Sequence, residues 1–371
     1  MEKNKINSFL LGIGLVLIIW GVFQVAVVSF PLSLEKYETP WYYLFHQLIM
    51  LTIGGVFGYL AYRAPLEKIK KYAPFLFVLS LVFVLFVFLP RIGLKIGGAR
   101  RWINLGGIVL QPSEFLKLTF IFYLSFWLSS KFKPHKQKEG ITKEIFLPFV
   151  VILLLLMLIL LAQPDMSTVG IIFITGTLIY FLTPGRWWHF PVLLGGGVGG
   201  ALLLIKAAPY RLNRFLVFLN PDIDPLGIGY QLKQSLIAVG SGKLFGIENG
   251  FGFGLSRQKF GFLPQPMTDS IFAIIGEELG FLGCFLLISL FILFAWQGLK
   301  IAKKSSDLFL KLLGGGITLW IVSQAFFNMA AITGILPLAG LPLPFFSYGG
   351  SHLIAELIGF GILVNISKRQ P

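Results

Sequence analysis

Acidic and basic side chains are scarce in this sequence: they make up 13% of its 371 residues, against about 25% in an ordinary soluble domain. That shortage excludes a soluble globule, whose surface needs charge all round. Cysteine is all but missing. Cys284 stands alone inside an apolar run, so neither a disulfide framework nor a cysteine-based metal site can be built. His46, His135 and His189 are scattered without ligand spacing, and His352 with Glu356 supplies too few ligands for a metal cage. Acid is scarcer than base, 16 residues against 31, for a net charge of +15. The excess is spread over many short segments, which argues against nucleic acid as a partner and suits lipid head groups and topology signals.

Hydrophobic residues, by contrast, are 56% of the chain, in runs of which the longer exceed the roughly 18 residues marking a bilayer span and several, such as Pro74 to Pro90, are only just long enough. The first, Phe9 to Phe30, follows Lys3 and Lys5. It is longer than a signal-peptide core and lacks a small-residue cleavage pattern, so it reads as a retained span. Further runs lie near 41–62, 74–90, 114–129, 145–162, 166–183, 191–205, 271–297, 310–336 and 351–366. The expectation is an all-α integral membrane protein of ten transmembrane helices, a single polytopic domain over 1–371, with a large connection at 206–270 between the seventh and eighth. Basic residues are retained on the cytoplasmic side, which assigns segments 63–73, 130–144 and 298–309 there together with both termini. Segments 31–40, 91–113, 163–165, 206–270 and 337–350 then face out.

Two outward segments break the charge bias. Segment 91–113 carries Arg91, Lys95, Arg100 and Arg101 without an acid, and 206–270 carries seven basic residues against Asp222, Asp224, Glu248 and Asp269. Orientation does not require them there, so either lipid head groups or an anionic ligand accounts for them. In the long connection, YQLKQSLIAV at 230–239 fits an interfacial helix or a plain covering loop. GGGVGG at 195–200 lacks the Lys-Ser or Lys-Thr of a phosphate loop and reads as close helix packing or a flexible span.

Ionisable groups within spans need a partner or a task. Glu114 and Lys117, three apart, share a helix face and neutralise one another. Asp165, at the outer mouth of the fifth and sixth spans, is placed to join them, as a structural triad or as the floor of a polar cavity that orients the basic loop. Glu277 and Glu278 are adjacent and are expected to point in different directions. His352 and Glu356, four apart, are set to hydrogen-bond along the last span. Asp269 differs from all of these, because it closes the long connection in FLPQPMTDSIFAIIGEELG, where water meets lipid. Partial desolvation there raises a carboxylate toward the pKa of a useful base. A helix N-cap supplied by Thr268 or Asp269 is the structural alternative.

Five strings stand in register along the whole chain: GGARRWINLGGIVLQPSEFLKL at 97–118, QPDMST at 163–168, NPDIDPLGIGYQLKQSLIAVGSGKLFG at 220–246, LPQPMTDSIFAIIGEELG at 263–280 and GLPLPFFSYGGS at 340–351. Together they resemble the SEDS family (shape, elongation, division and sporulation; FtsW/RodA/SpoVE), membrane polymerases of bacterial peptidoglycan. The division-type (FtsW) members are matched somewhat better than the elongation-type (RodA) ones. The resemblance implies ten helices with a large extracytoplasmic loop between helices 7 and 8, in the bacterial cytoplasmic membrane. It implies a glycosyltransferase that joins lipid II into glycan strands with inversion. It also implies as partners a class B penicillin-binding transpeptidase and other elongation or division proteins.

Carried onto this sequence, the resemblance makes Asp269 the catalytic base and Glu114, Lys117 and Asp165 the polar groups of a cavity. Arg100 and Arg101 become the first pyrophosphate-binding candidates, with Arg211, Arg214, Lys233 and Lys259 behind them. A divalent cation, Mg or Mn, bridging pyrophosphate oxygens fits that chemistry, and no organic cofactor is called for. The sequence departs from the family where Gln265, Pro266 and Met267 precede Thr268-Asp269 in place of the usual Glu-Ala-His. Gly107 stands for a proline and His352 for a small hydroxyl residue. Two other functions stay open: a flippase or transporter of lipid-linked sugars, which would place buried acids near the midplane, and a non-catalytic scaffold for cell-wall enzymes.

Overall fold

Lipid offers a backbone no hydrogen-bond partner, so an apolar run there closes on itself as a helix. The computed structural model describes residues 6–90, 92–96, 99–106, 108–132, 141–183, 188–247 and 252–368. Lys3, Lys5, Arg91, Gly107, Lys133, His135, Lys136, Lys138 and Glu248 lie outside the described residues. The helices are α1 (Ser8–Tyr37), α2 (Tyr42–Arg63), α3 (Leu66–Leu85), α4 (Pro112–Lys131), α5 (Ile141–Ala162), α6 (Met166–Phe181), α7 (His189–Lys206), α8 (Pro209–Leu219), α9 (Ile228–Ser241), α10 (Ile271–Lys304), α11 (Leu308–Ile332) and α12 (Gly350–Ser367).

Among the described residues eight helices are long and apolar enough to span a bilayer: α1, α2, α3, α5, α7, α10, α11 and α12. The protein is therefore a multi-pass membrane protein. Two of the expected ten runs fall short of that measure. α4 carries Glu114 and Lys117 in its first turns, and α6 has only 16 residues. Several helices outrun their apolar stretches. Lys68, Lys70 and Lys71 ride on α3, and Lys300, Lys303 and Lys304 on α10, rather than in the loops expected for them. Long basic side chains cost a helix little and keep their charged heads in water.

The bundle is built round its C-terminal helices. In α12, 89% of the most apolar stretch is buried, whereas in α7 only 11% is. Gly58 of α2 meets Gly361 of α12 so closely that a methyl on Gly361 would stand 2.1 Å from the Gly58 carbonyl oxygen, the small-residue contact that lets helices approach in lipid. The glycine-rich part of α7 does not pack this way. Gly197 abuts Phe173, but nothing lies within 4 Å of a side chain added at Gly195, Gly196, Gly199 or Gly200.

The transmembrane body is all helix, but the 91–113 connection holds a small antiparallel sheet, β1 (Gly93–Ile96), β2 (Ala99–Leu105) and β3 (Ile108–Leu110), in that order. The long connection before α10 contains α8 and α9. The stretch left open as helix or loop is thus a helix, with Gly229, Leu232, Ser235 and Ala238 on its buried face. The C-terminal end of α9 meets a break in α10. Gly280 takes φ 64 and ψ −159, outside the helical region, and frees the N–H groups of Phe281 and Leu282 to donate to the Lys243 and Leu244 carbonyls at 2.8 and 3.1 Å.

The connections between α1 and α2, α3 and α4, α5 and α6, α7 and α10, and α11 and α12 meet at one end of the bundle. Tyr43 stacks edge-on against Tyr348, Arg101 donates to the Pro164 carbonyl, Arg214 to Leu338, and the Tyr348 N–H to Met267. At the other end Asn365 binds the Ala61 and Ala64 carbonyls and Lys70 pairs with Asp307 at 3.4 Å.

Candidate active site

Asp269 sits at the gathered end, in the turn that delivers the chain into α10. The N-cap position of α10 is Ser270, which makes no side-chain cap bond, so neither Thr268 nor Asp269 fills the capping role open to them. The turn is tight: Gln265 has φ 52, its carbonyl accepts from both Thr268 and Ser270 N–H, and its side-chain oxygen accepts from the Thr268 hydroxyl at 3.0 Å. The Asp269 side chain is half-buried. Desolvation raises its pKa above the ordinary carboxylate value, opposed by the Thr268 side chain, its own N–H and the Arg214 cation.

Beside it lies a cavity of about 270 Å³ whose wall includes Arg101, Arg211, Arg214, Tyr210 and Ser167, closed on one side by Pro337–Leu341. Gly340 links that rim to the carboxylate. A methyl there would be 3.4 Å from Asp269 Oδ2, and its φ of +62 suits glycine. Arg211 and Arg214 lie three apart on α8 and so share a face. Arg211 donates to the Leu204 carbonyl at 3.2 Å and to the Tyr210 hydroxyl at 2.8 Å. Arg214 is open to solvent, yet desolvation and then the Arg101 cation lower its pKa, while Tyr210 and Asp269 pull it back. Asp269, Arg214 and Arg101 therefore form one electrostatic group.

The two arginines of β2 separate. Successive strand residues face opposite ways, so Arg101 turns toward the cavity while Arg100, paired in register with Lys95, is exposed. Arg101 pairs with Asp165 at 3.7 Å and reaches the Gln163 and Pro164 carbonyls.

The expected triad of Glu114, Lys117 and Asp165 divides into two sets. Asp165 caps α6, accepting from Thr168 N–H at 3.3 Å and Thr168 hydroxyl at 2.8 Å, and from Ser113 at 3.2 Å. It orients the basic segment through Arg101. Lys117 binds Glu114 at 2.8 Å and Gln324 Oε1 at 2.7 Å, all deeply buried. Gln324 donates on to Glu356 at 3.4 Å and to the Pro342 carbonyl at 3.1 Å. Helix spacing brought Glu114 to Lys117; only the packing of α4 against α11 decided the rest.

His352 and Glu356 do not bond to each other. Glu356 accepts from Phe345 N–H at 2.9 Å, and His352 Nε2 meets the Ser347 carbonyl at 3.1 Å, so both hold the connection between α11 and α12. His46 bonds to Tyr348 and His189 to Tyr180. Glu277 and Glu278, expected to diverge, converge on one segment. Glu277 accepts from Arg257 N–H at 3.1 Å, Gln258 N–H at 3.4 Å and the Ser256 hydroxyl, and Glu278 from Gln24 at 3.0 Å and Ser256 N–H at 3.4 Å. The 254–259 segment passes across the helix and meets both side chains. Lys259 closes this set, 3.8 Å from Glu278 and bonded to the Gly254 carbonyl at 2.5 Å. Lys233 pairs with Asp222 on the surface. These two lysines therefore stand apart from the arginine group.

Sequence reading missed Asn328 and Gln324. Both are amides four apart on one face of an otherwise apolar run, a signal available to anyone counting neutral as well as charged polar groups in spans. Among the described residues no three His, Cys, Asp or Glu side chains stand close enough to hold a metal ion.

These observations define a multi-pass membrane protein with a cation-lined cavity and a half-buried carboxylate at one end of its bundle. A profile of the cell cycle protein family FtsW/RodA/SpoVE matches residues 7–371, and the chain belongs to that family. It is 36% identical over 369 residues to “Stage V sporulation protein E” of Bacillus subtilis (strain 168), covering 99% of this chain and 98% of that one. It is 38% identical over 350 residues to “Probable peptidoglycan glycosyltransferase FtsW” of Coxiella burnetii, covering 94% and 92%. In three dimensions it is similar to a chain from a structure described as “Structural coordination of polymerization and crosslinking by a peptidoglycan synthase complex”, with a TM-score of 0.72, 26% identity and coverage of 95% and 97%. A mutant form of the Thermus thermophilus rod shape determining protein RodA gives a TM-score of 0.68, 25% identity and coverage of 96% and 97%.

Proposed function

We propose that this chain is an inverting peptidoglycan glycosyltransferase that polymerises lipid II at the outer face of the bacterial cytoplasmic membrane. The observation that carries the reading is Asp269: half-buried, released from capping, and held beside Arg214 at the margin of the arginine-lined cavity. In this reading α4 and α6 also cross the bilayer, making ten spans with both termini cytoplasmic. The basic ends of α3 and α10 then obey the positive-inside rule, and the gathered connections face out.

Asp269 takes the proton from the 4-hydroxyl of the acceptor sugar as that oxygen bonds to the anomeric carbon of the donor. The bond from that carbon to the pyrophosphate oxygen breaks with its electron pair. A single displacement turns an α linkage into β and requires one carboxylate, by analogy with inverting glycosidases. The absence of Glu and His at 265–267 removes no group this scheme uses. Arg211 and Arg214 face the charge that gathers on undecaprenyl pyrophosphate, where fixed cations at low dielectric lower the barrier. Arg101 acts with them while anchored to Asp165. No step is assigned to a metal ion. The relative seen in a complex of polymerization and crosslinking supports a crosslinking transpeptidase of the class B penicillin-binding type as partner.

The test is purified protein given lipid II in detergent, where no compartment exists to transport across. Polymer is expected from the native chain and none from Asp269→Asn, whose thermal unfolding is unchanged. Full-length polymer from that variant removes Asp269 from the mechanism.

A further inference from the structure

Three successive carbonyls lead up to the Asp269 side chain, and each accepts from a group on α11 or on the connection between α11 and α12. The Tyr348 N–H donates to Met267 O at 2.7 Å, the Ser347 hydroxyl to Thr268 O at 2.5 Å, and Asn328 Nδ2 to Asp269 O at 2.7 Å. Asn328 Nδ2 also donates to Leu341 O at 2.6 Å, so both its hydrogens are used, one on each of two segments that cross. The residue is only 2% exposed and lies one turn along α11 from Gln324, which holds the next carbonyl, Pro342 O, at 3.1 Å.

We infer that Asn328 is a positioning residue for Asp269, fixing the carboxylate against the cavity rim by joining the Asp269 carbonyl to the Leu341 carbonyl. The inference rests on Asp269 being the base. The rim reaches that carboxylate through Gly340, the residue before Leu341, and the same rim closes the arginine-lined cavity. One amide therefore sets how far the base stands from the cavity. Ser347 reinforces the grip one residue upstream, and its own carbonyl is held by His352 and by Gln47 at 3.3 Å. His352, a departure from the family pattern, thus ties the gripping segment to α12.

The experiment compares Asn328→Leu, which removes both donors at similar volume, with Asn328→Ser, which keeps one, and runs Asp269→Asn beside them in the lipid II assay. Misplacing a reacting group by about 1 Å costs about 10²-fold, so Asn328→Leu is expected to lose that much kcat with KM unchanged, the pattern of lost transition-state alignment. Asn328→Ser falls between it and the native chain. The acid limb of the pH profile moves in both, because the carboxylate no longer keeps its distance from Arg214; lost packing alone would leave that limb in place. A folded Asn328→Leu with native kcat and an unmoved limb overturns the inference while an inactive Asp269→Asn leaves the base intact. An active Asp269→Asn brings both down. Should Asn328→Leu fail to fold, the same readouts on Asn328→Ser decide.

Discussion

Glu277 and Glu278 lie on the helix that Asp269 introduces, and the two kinds of acid are treated oppositely. Each glutamate accepts at least two hydrogen bonds, Glu278 adds Lys259, and both are buried. Asp269 has solvent on one side and a single nearby cation, and its backbone is tied down while its carboxylate stays partly open. A saturated anion in a dry interior locks the segments that saturate it, since freeing any partner strands a charge. An anion left partly open on a rigid backbone is available to take a proton. The same division separates Lys117, closed on Glu114 and on Gln324, from Arg214, which meets solvent.

Breaking a buried charge pair should produce the largest effect on stability. Lys117→Met leaves Glu114 without its cation among buried neighbours, and removing one partner of a buried pair costs about 3–5 kcal/mol. Thermal unfolding in detergent measures this, and the double variant Lys117→Met/Glu114→Gln should recover most of it. A single variant as stable as the native chain means that these charges do not lock the bundle.

The half-buried acid is tested through its neighbour. Arg214 holds the Asp269 pKa down against desolvation, so Arg214→Gln should raise it further. A base works deprotonated, hence activity is lost as pH falls through that pKa, and the acid limb of the rate profile should move to higher pH. A limb that stays put severs the coupling between the two residues.

The smallest effect is expected where both partners meet water. Lys70 and Asp307 are 39% and 45% exposed, and exposed pairs contribute about 0–1 kcal/mol. Lys70→Met should leave the unfolding temperature nearly unchanged. A large loss there would mean that saturation counts even in solvent, and the contrast between the two kinds of acid would weaken.

Read by itself, the sequence determined that this chain crosses a membrane many times, where its long helices lie, and that the Glu114–Lys117 pair shares a face. Hydropathy and helical spacing are local properties, carried by residues a few positions apart. The five strings likewise marked the family and singled out Asp269. Tertiary structure alone decided which partners distant residues meet. The strand at 99–105 turned Arg100 away from Arg101, and Asp165 chose Arg101 over Lys117. The 254–259 segment drew Glu277 and Glu278 together, and two crossing connections made Asn328 the clamp beneath Asp269. Such pairings depend on where elements far apart in the chain come to rest, and no period or short motif records that.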